Sequence, residues 1–172
     1  MYRTKIGGYR QPAAFSALHH LADNLQSIPR SGQATARTRG SVSAKPHILL
    51  IDDDASILSA VRRLLVRSGH EVTAAPNGAE GLRLWREQGA DLVLTDLQMP
   101  GMNGLEVILQ LRAYAPRLPV IAMSGGERSR DLDLLGSAGL LGAVGLLTKP
   151  FTGDELTAAI RAAVDQAGRE LA

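Results

Sequence analysis

The 172-residue sequence contains no cysteine, which excludes a disulfide framework, a thiolate metal site and a cysteine nucleophile. Nothing in it asks for an oxidising compartment. Aromatic residues are scarce, with one Trp, three Tyr and two Phe, and Tyr2, Tyr9 and Phe15 all fall near the start of the chain. The core must therefore rest mainly on Leu, Ile, Val and Ala. Long apolar runs are also missing. The longest stretch of apolar residues and glycine, 138–147, is far short of the ~20 residues that span a bilayer. We expect a cytoplasmic protein with no membrane partner. With 45% apolar and 21% charged residues, the composition suits one globular domain with a sizeable core and excludes collagenous or wholly disordered classes.

The net charge of +2 conceals a division. Residues 1–44 carry six basic side chains (Arg3, Lys5, Arg10, Arg30, Arg37, Arg39) against Asp23 alone, whereas 45–172 holds 13 basic and 16 acidic residues. The basic pI belongs to the first quarter of the chain. That segment is rich in Gly, Ser, Thr, Ala and Gln, and only Phe15 to Leu25 spaces apolar residues as a helix would. It cannot bury enough apolar surface to offset the entropy lost on ordering. We expect a basic, mostly disordered N-terminal extension over 1–44 and a folded domain over 45–172. A solvated tail or a misassigned start, with Val42 as the alternative, is favoured over a nucleic-acid-binding arm or a targeting segment.

From Pro46 onward short apolar runs alternate with helical periodicity, the pattern of βα units around a parallel sheet. Strands are predicted at 47–51, 71–75, 91–95, 120–123 and 144–148. Between the first two, Ile57, Leu58, Val61, Leu64 and Leu65 form one helical face ended by Gly69. A second helix is predicted over 77–88 with Leu82 and Trp85 inward, and a third over 104–114 with Leu105, Ile108 and Leu111 inward. The final helix starts at a capping pattern, Thr152 before Asp154 and Glu155, and buries Leu156, Ala159, Ile160, Ala163 and Val164. The fourth, within 129–141, contains or adjoins Gly136, Gly139, Gly142 and Gly145. Gly inside a helix costs about 1 kcal/mol relative to Ala, so this helix is expected to be short and frayed.

In open parallel sheets functional groups collect at the carboxyl ends of strands. Those ends here supply Asp52, Asp53 and Asp54 after the first strand, Asp96 after the third, Ser124 after the fourth and Lys149 after the fifth. Carboxylates that converge stay ionised together at neutral pH only if a cation shares their pocket. An oxygen-only ligand set suits a hard ion, and an incomplete protein shell that keeps waters suits Mg²⁺ better than Ca²⁺.

The stretches ILLIDDD (48–54), LVLTDLQMPGMNGLEVI (92–108), VIAMSG (120–125) and LLTKPF (146–151) resemble the receiver domain of two-component response regulators over about residues 46–170. The resemblance implies a flavodoxin-like, doubly wound α/β fold with a five-stranded parallel sheet. It implies that Asp96 is the phosphoacceptor for a histidine kinase or histidine phosphotransfer protein, in a Mg²⁺-dependent reaction. It further implies that Asp53 ligates the metal directly, Asp52 largely through water, and that Asp96 and the backbone carbonyl of Gln98 complete the protein ligands. Ser124 and Lys149 would hold the phosphoryl group, and Pro150 would follow a cis peptide bond. Gln98 and Gly126 flank the site and would tune the lifetime of the acyl phosphate.

One departure stands out. The family usually carries Tyr or Phe three residues before the lysine, and that position is Leu146, with no aromatic residue anywhere between Ser124 and Lys149. A rotating ring cannot report phosphorylation here. Ordering of the glycine-rich stretch within 126–145 is the expected substitute. Because the sequence ends soon after the last helix, we expect a stand-alone receiver, a signalling module and not an enzyme, that acts by protein contact or phosphotransfer and has no nucleic-acid partner. The alternative is a phosphatase of the haloacid dehalogenase type using Asp52 and Asp54 as its DxD motif. It is opposed by the missing acidic pair after the lysine and the missing cap domain. A DNA-binding regulator that uses the basic extension is a third reading, opposed by the absence of a helix-turn-helix pattern.

Overall fold

The structure, a computed structural model, describes residues 46–125 and 129–169. The N-terminal extension and Gly126 lie outside the described residues. Five strands and five helices alternate: β1 (His47–Ile51), α1 (Ala55–Arg67), β2 (Glu71–Ala75), α2 (Gly78–Gln88), β3 (Leu92–Asp96), α3 (Gly104–Tyr114), β4 (Val120–Ser124), α4 (Ser129–Leu140), β5 (Gly145–Thr148) and α5 (Gly153–Arg169). All pairings are parallel, in the order β2-β1-β3-β4-β5. The chain leaves β1 toward one edge and then reverses toward the other. That reversal opens a crevice between the carboxyl ends of β1 and β3.

Because helices cover both faces of the sheet, its central strands show no alternation of apolar and polar residues. Leu49 and Ile51 of β1, Val93 of β3 and Val120 and Ala122 of β4 pack with Leu82, Trp85, Val107, Ile108, Leu111, Leu135 and Ala138 of α2, α3 and α4. Their neighbours Ile48, Leu50, Leu92, Leu94, Ile121 and Met123 point the other way, to Val61 and Leu65 of α1 and Leu156, Ile160 and Ala163 of α5. The core is almost wholly aliphatic, as the scarcity of aromatics requires. No helix among the described residues is long and apolar enough to cross a membrane.

Helix ends follow the sequence closely. Asp54, Asn77 and Asn103 accept backbone N–H bonds as N-caps, and Asn103 with Glu106 closes a capping box. Thr152 and Glu155 do the same at the start of α5. At the end of α1, Gly69 donates to the Val66 carbonyl and His70 to that of Leu65. These two bonds close a Schellman turn in which Gly69 takes φ +88°.

Three expectations need correction. β3 runs over 92–96 rather than 91–95, because Asp91 is held below the strand by a reciprocal pair of bonds with the His47 backbone. Asp96 thus belongs to the strand itself. In α3 the fully buried positions are Val107, Ile108 and Leu111, while Leu105 is only half-buried at the margin of the core. α4 is neither short nor confined to part of its window, since it spans twelve residues. Leu135 and Ala138 anchor it in the core, and Gly136 and Gly139 face solvent. Packing of the apolar face outweighs the propensity cost.

Two glycines predict opposite outcomes. A Cβ at Gly104 would sit 2.8 Å from the Leu97 Cα, against backbone that cannot yield. Gly104→Ala is expected to cost about 1–3 kcal/mol by overpacking. Gly136 has open space at its Cβ position, so Gly136→Ala should stabilise by about 0.4–1 kcal/mol. Urea midpoints of the two variants, compared at equal m-value, check both signs.

Candidate functional site

The β1–β3 crevice collects the acidic residues. Asp52 immediately follows β1 and is 1% exposed, while Asp96 ends β3 and is 5% exposed. Asp53 is exposed beside them. Carboxylate oxygens from Asp52, Asp53 and Asp96 lie within 4.8 Å of one another. A buried carboxylate needs a partner for each oxygen, and Asp52 has both. Its Oδ1 accepts the Asp54 N–H at 3.0 Å and its Oδ2 the Lys149 Nζ at 2.6 Å. Lys149 also reaches Asp96 Oδ1 at 3.0 Å.

Local structure fixes each group. The Asp96 backbone is clamped between β4, where the Leu97 N–H donates to the Met123 carbonyl, and the Gly104 N-terminus of α3, whose missing side chain lets the helix approach. Leu97 and Met99 are buried on either side of exposed Gln98, so this turn is pinned by alternate side chains. Lys149 is delivered by β5, and its own N–H donates to the Ser124 carbonyl at 2.7 Å. The Lys149–Pro150 peptide is cis. Ser124 is fully buried, and its Oγ has no hydrogen-bond partner among the described residues.

Electrostatics follow from burial and charge. Burial raises the Asp96 carboxyl above the ordinary range, Lys149 partly offsets this, and the charges of Asp52 and Asp53 push it further up. For Lys149, burial acts to lower the ammonium, but the bonds and charges of Asp52 and Asp96 outweigh it and hold the group above its usual value. Both directions have one source. Two buried carboxylates share one partly buried cation with a third carboxylate beside them, so the lysine is strongly held while Asp96 is under-compensated.

Asp52, Asp53, Asp96 and Lys149 are thus brought together, with Ser124 linked to Lys149 through the backbone. Asp54 is not among them. Its carboxylate caps α1, accepting from Ser56 at 2.8 Å and Ile57 at 3.2 Å, and those bonds lower its pKa. The DxD reading therefore loses its second aspartate. Leu146 lies on the edge strand β5 and is 46% exposed. Sequence reasoning assigned Lys149 to a phosphoryl group alone and missed its pairing with Asp52. One signal was available, because Lys149 is the single lysine between Pro46 and Ala172 among many arginines.

Three oxygen donors at this spacing, without nitrogen or sulfur, fit a small hard cation such as Mg²⁺. Comparison with known proteins gives the family. Residues 48–161 match the response regulator receiver domain. The transcriptional regulatory protein AfsQ1 of Streptomyces coelicolor is 40% identical over 126 residues, 73% of this chain and 54% of that protein. The DNA-binding transcriptional regulator NtrC of Escherichia coli is 38% identical over 117 residues, 68% of this chain and 24% of that protein. This chain therefore spans about half the length of the first relative and a quarter of the second. Among solved structures, a response regulator receiver domain protein from Clostridium thermocellum superposes with a TM-score of 0.67 at 34% identity, over 73% of this chain and 98% of that one. NtrX from Brucella abortus gives 0.69 at 26% identity, over 73% and 28%. The sheet order, the acidic crevice and these matches lead to one conclusion: the chain belongs to the response regulator receiver family.

Proposed function

We propose that Asp96 is the phosphoacceptor of a two-component signalling protein and takes its phosphoryl group from a histidine kinase or a histidine phosphotransfer protein. The observation that carries this reading is a strand-end carboxylate under-compensated for charge and placed 3.0 Å from a partly buried ammonium. In the transfer, an Asp96 oxygen attacks phosphorus, the new P–O bond forms as the P–N bond breaks, and the departing histidine nitrogen keeps the electron pair. Asp52, Asp53, Asp96 and the Gln98 carbonyl would hold Mg²⁺, which supplies charge neutralisation for the phosphoryl oxygens. Lys149 contributes a fixed cation, and Ser124 a hydroxyl free to bond the acyl phosphate. Catalysis of this kind rests on positioning and electrostatics, so the domain acts as a signalling partner rather than an enzyme with turnover.

For the output, we favour a cytoplasmic module that reaches its target by protein contact or phosphotransfer. Leu146 offers no ring to rotate, so the signal leaves by another movement of the region between Ser124 and Lys149. The relatives' names favour a second reading, in which regulation of transcription is the end point and DNA contact lies outside the receiver. Salt-dependent binding of the full chain to DNA that changes with phosphorylation would decide for that reading.

The primary test is labelling by a small-molecule phosphodonor with Mg²⁺. Acid-stable, base-labile label should appear in the wild-type chain and disappear in Asp96→Asn; label that persists there but vanishes in Asp52→Asn would instead support the phosphatase chemistry. Metal binding should also stabilise the fold. Mg²⁺ at about 100 times its Kd is expected to add about 2.7 kcal/mol to the unfolding free energy, and Asp53→Asn should abolish most of that gain in urea titrations.

The pH dependence has a definite sign. The folded state raises the Asp96 pKa, so the chain binds that proton more tightly folded than unfolded, and its contribution is fully present below the unfolded value. It is lost as pH rises through the folded value. Metal-free Asp96→Asn should therefore be more stable than wild type at neutral pH, with the difference vanishing in acid, as read from urea unfolding across pH.

A further inference from the structure

At the end of the domain opposite the acidic crevice, Arg112 occupies the last turn of α3. Helix α3 ends without a left-handed glycine, since its cap Ala115 takes φ −140°. Its terminal carbonyls need other donors. Arg112 folds over this end: Nη1 donates to the carbonyl of the cap Ala115 (3.2 Å) and to those of Pro116 (3.1 Å) and Leu118 (2.7 Å) in the loop that follows. The other side of the same guanidinium crosses to the turn between α4 and β5, where Nε and Nη2 both donate to the Gly142 carbonyl at 3.2 and 2.9 Å. Only a planar fork can bond two segments in this way.

The receiving turn is itself specified. Gly142 takes φ +98°, its N–H donates to the Gly139 carbonyl and that of Ala143 to Ala138. Together these bonds form a Schellman turn that ends α4. Val144 then donates to the Val120 carbonyl, starting the β4–β5 ladder. A Cβ at Gly142 would lie 2.8 Å from Arg112 Nε. The glycine serves both the backbone conformation and the guanidinium.

We propose that Arg112 is a clamp that fixes the base of α4 and the entry to β5 independently of the phosphorylation state, so that the response to Asp96 is confined to the end of this region nearest Ser124. This rests on the reading of Asp96 as phosphoacceptor. It narrows the expectation that the whole glycine-rich stretch orders on phosphorylation, because 135–145 is already held by buried Leu135 and Ala138, by the Schellman turn and by Arg112. An open cleft of about 440 Å³ beside Arg112, also lined by Arg117, Gly139 and Gln166, lets water reach the carbonyls if the guanidinium is removed. Variants should therefore fold.

Amide hydrogen exchange of the full chain tests the clamp, with and without phosphodonor and Mg²⁺. In wild type, protection of 141–144 should be the same in both states. In Arg112→Met it should fall about tenfold or more, the factor expected for one lost charge-assisted hydrogen bond, while β1 and β3 amides keep their protection. Arg112→Lys should recover only part of it, and Gly142→Ala should mimic the loss from the opposite side. Unchanged protection of 141–144 in Arg112→Met would overturn the proposal, as would a wild-type response to phosphorylation at those amides. Intact mass separates the two readings. A chain that takes up no phosphoryl group refutes the role of Asp96, whereas the unphosphorylated variants still decide whether Arg112 is the clamp.

Discussion

A single partly buried ammonium organises the functional end of this molecule. Lys149 bonds Asp52, which follows β1, and Asp96, which ends β3, while being carried by β5 at the far edge of the sheet. Taking these charges out of water costs several kcal/mol per ion, and the arrangement survives only because each partner is bonded. Lys149 thereby ties the neighbouring strands β1 and β3 to the edge strand β5 at the point where the sheet would otherwise splay from carboxylate repulsion. The compensation is incomplete by design of the charge count. One cation faces three carboxylates, which leaves a standing demand for a second, removable cation.

That demand gives the site its directionality. Asp52 is satisfied at both oxygens by the protein, whereas Asp96 meets one ammonium and carries a raised pKa. Asp53 stands at the solvent side. A group with spare negative charge at a rigid strand end, next to a hydroxyl that is buried and unpartnered, is poised to exchange partners. The rest of the fold removes alternatives to that exchange. α3 presses on the Asp96 backbone through Gly104, buried Leu97 and Met99 pin the following turn, and the opposite end of the domain is locked by Arg112. Rigidity at the base leaves the strand ends as the place where an exchange of partners at Asp96 can be felt.

Much of this was legible in the sequence because it depends on local rules. Strand positions followed from apolar runs bounded by turn residues, and the start of α5 followed from Thr152 standing before helical periodicity. The candidate carboxylates followed from the fact that strand ends in a parallel sheet face one edge. Errors arose where long-range packing decided. α4 looked weak by propensity, yet Leu135 and Ala138 bury themselves against the sheet and carry its glycines on the solvent side. The start of β3 was displaced by a bond to His47, distant in sequence.

The sequence by itself determined the parallel α/β architecture, the aliphatic core and the identity of the acidic, hydroxyl and lysine groups that gather at one end, because periodicity and strand-end position are properties of neighbouring residues. Only the tertiary structure decided how those groups divide the work. Asp54 goes to the helix cap and Asp52 to Lys149, Asp96 is left under-compensated, and an unremarkable arginine in the last turn of α3 becomes the link between two helix ends. Such assignments depend on distances between atoms far apart in the chain, where burial sets the cost of every unpaired charge and carbonyl.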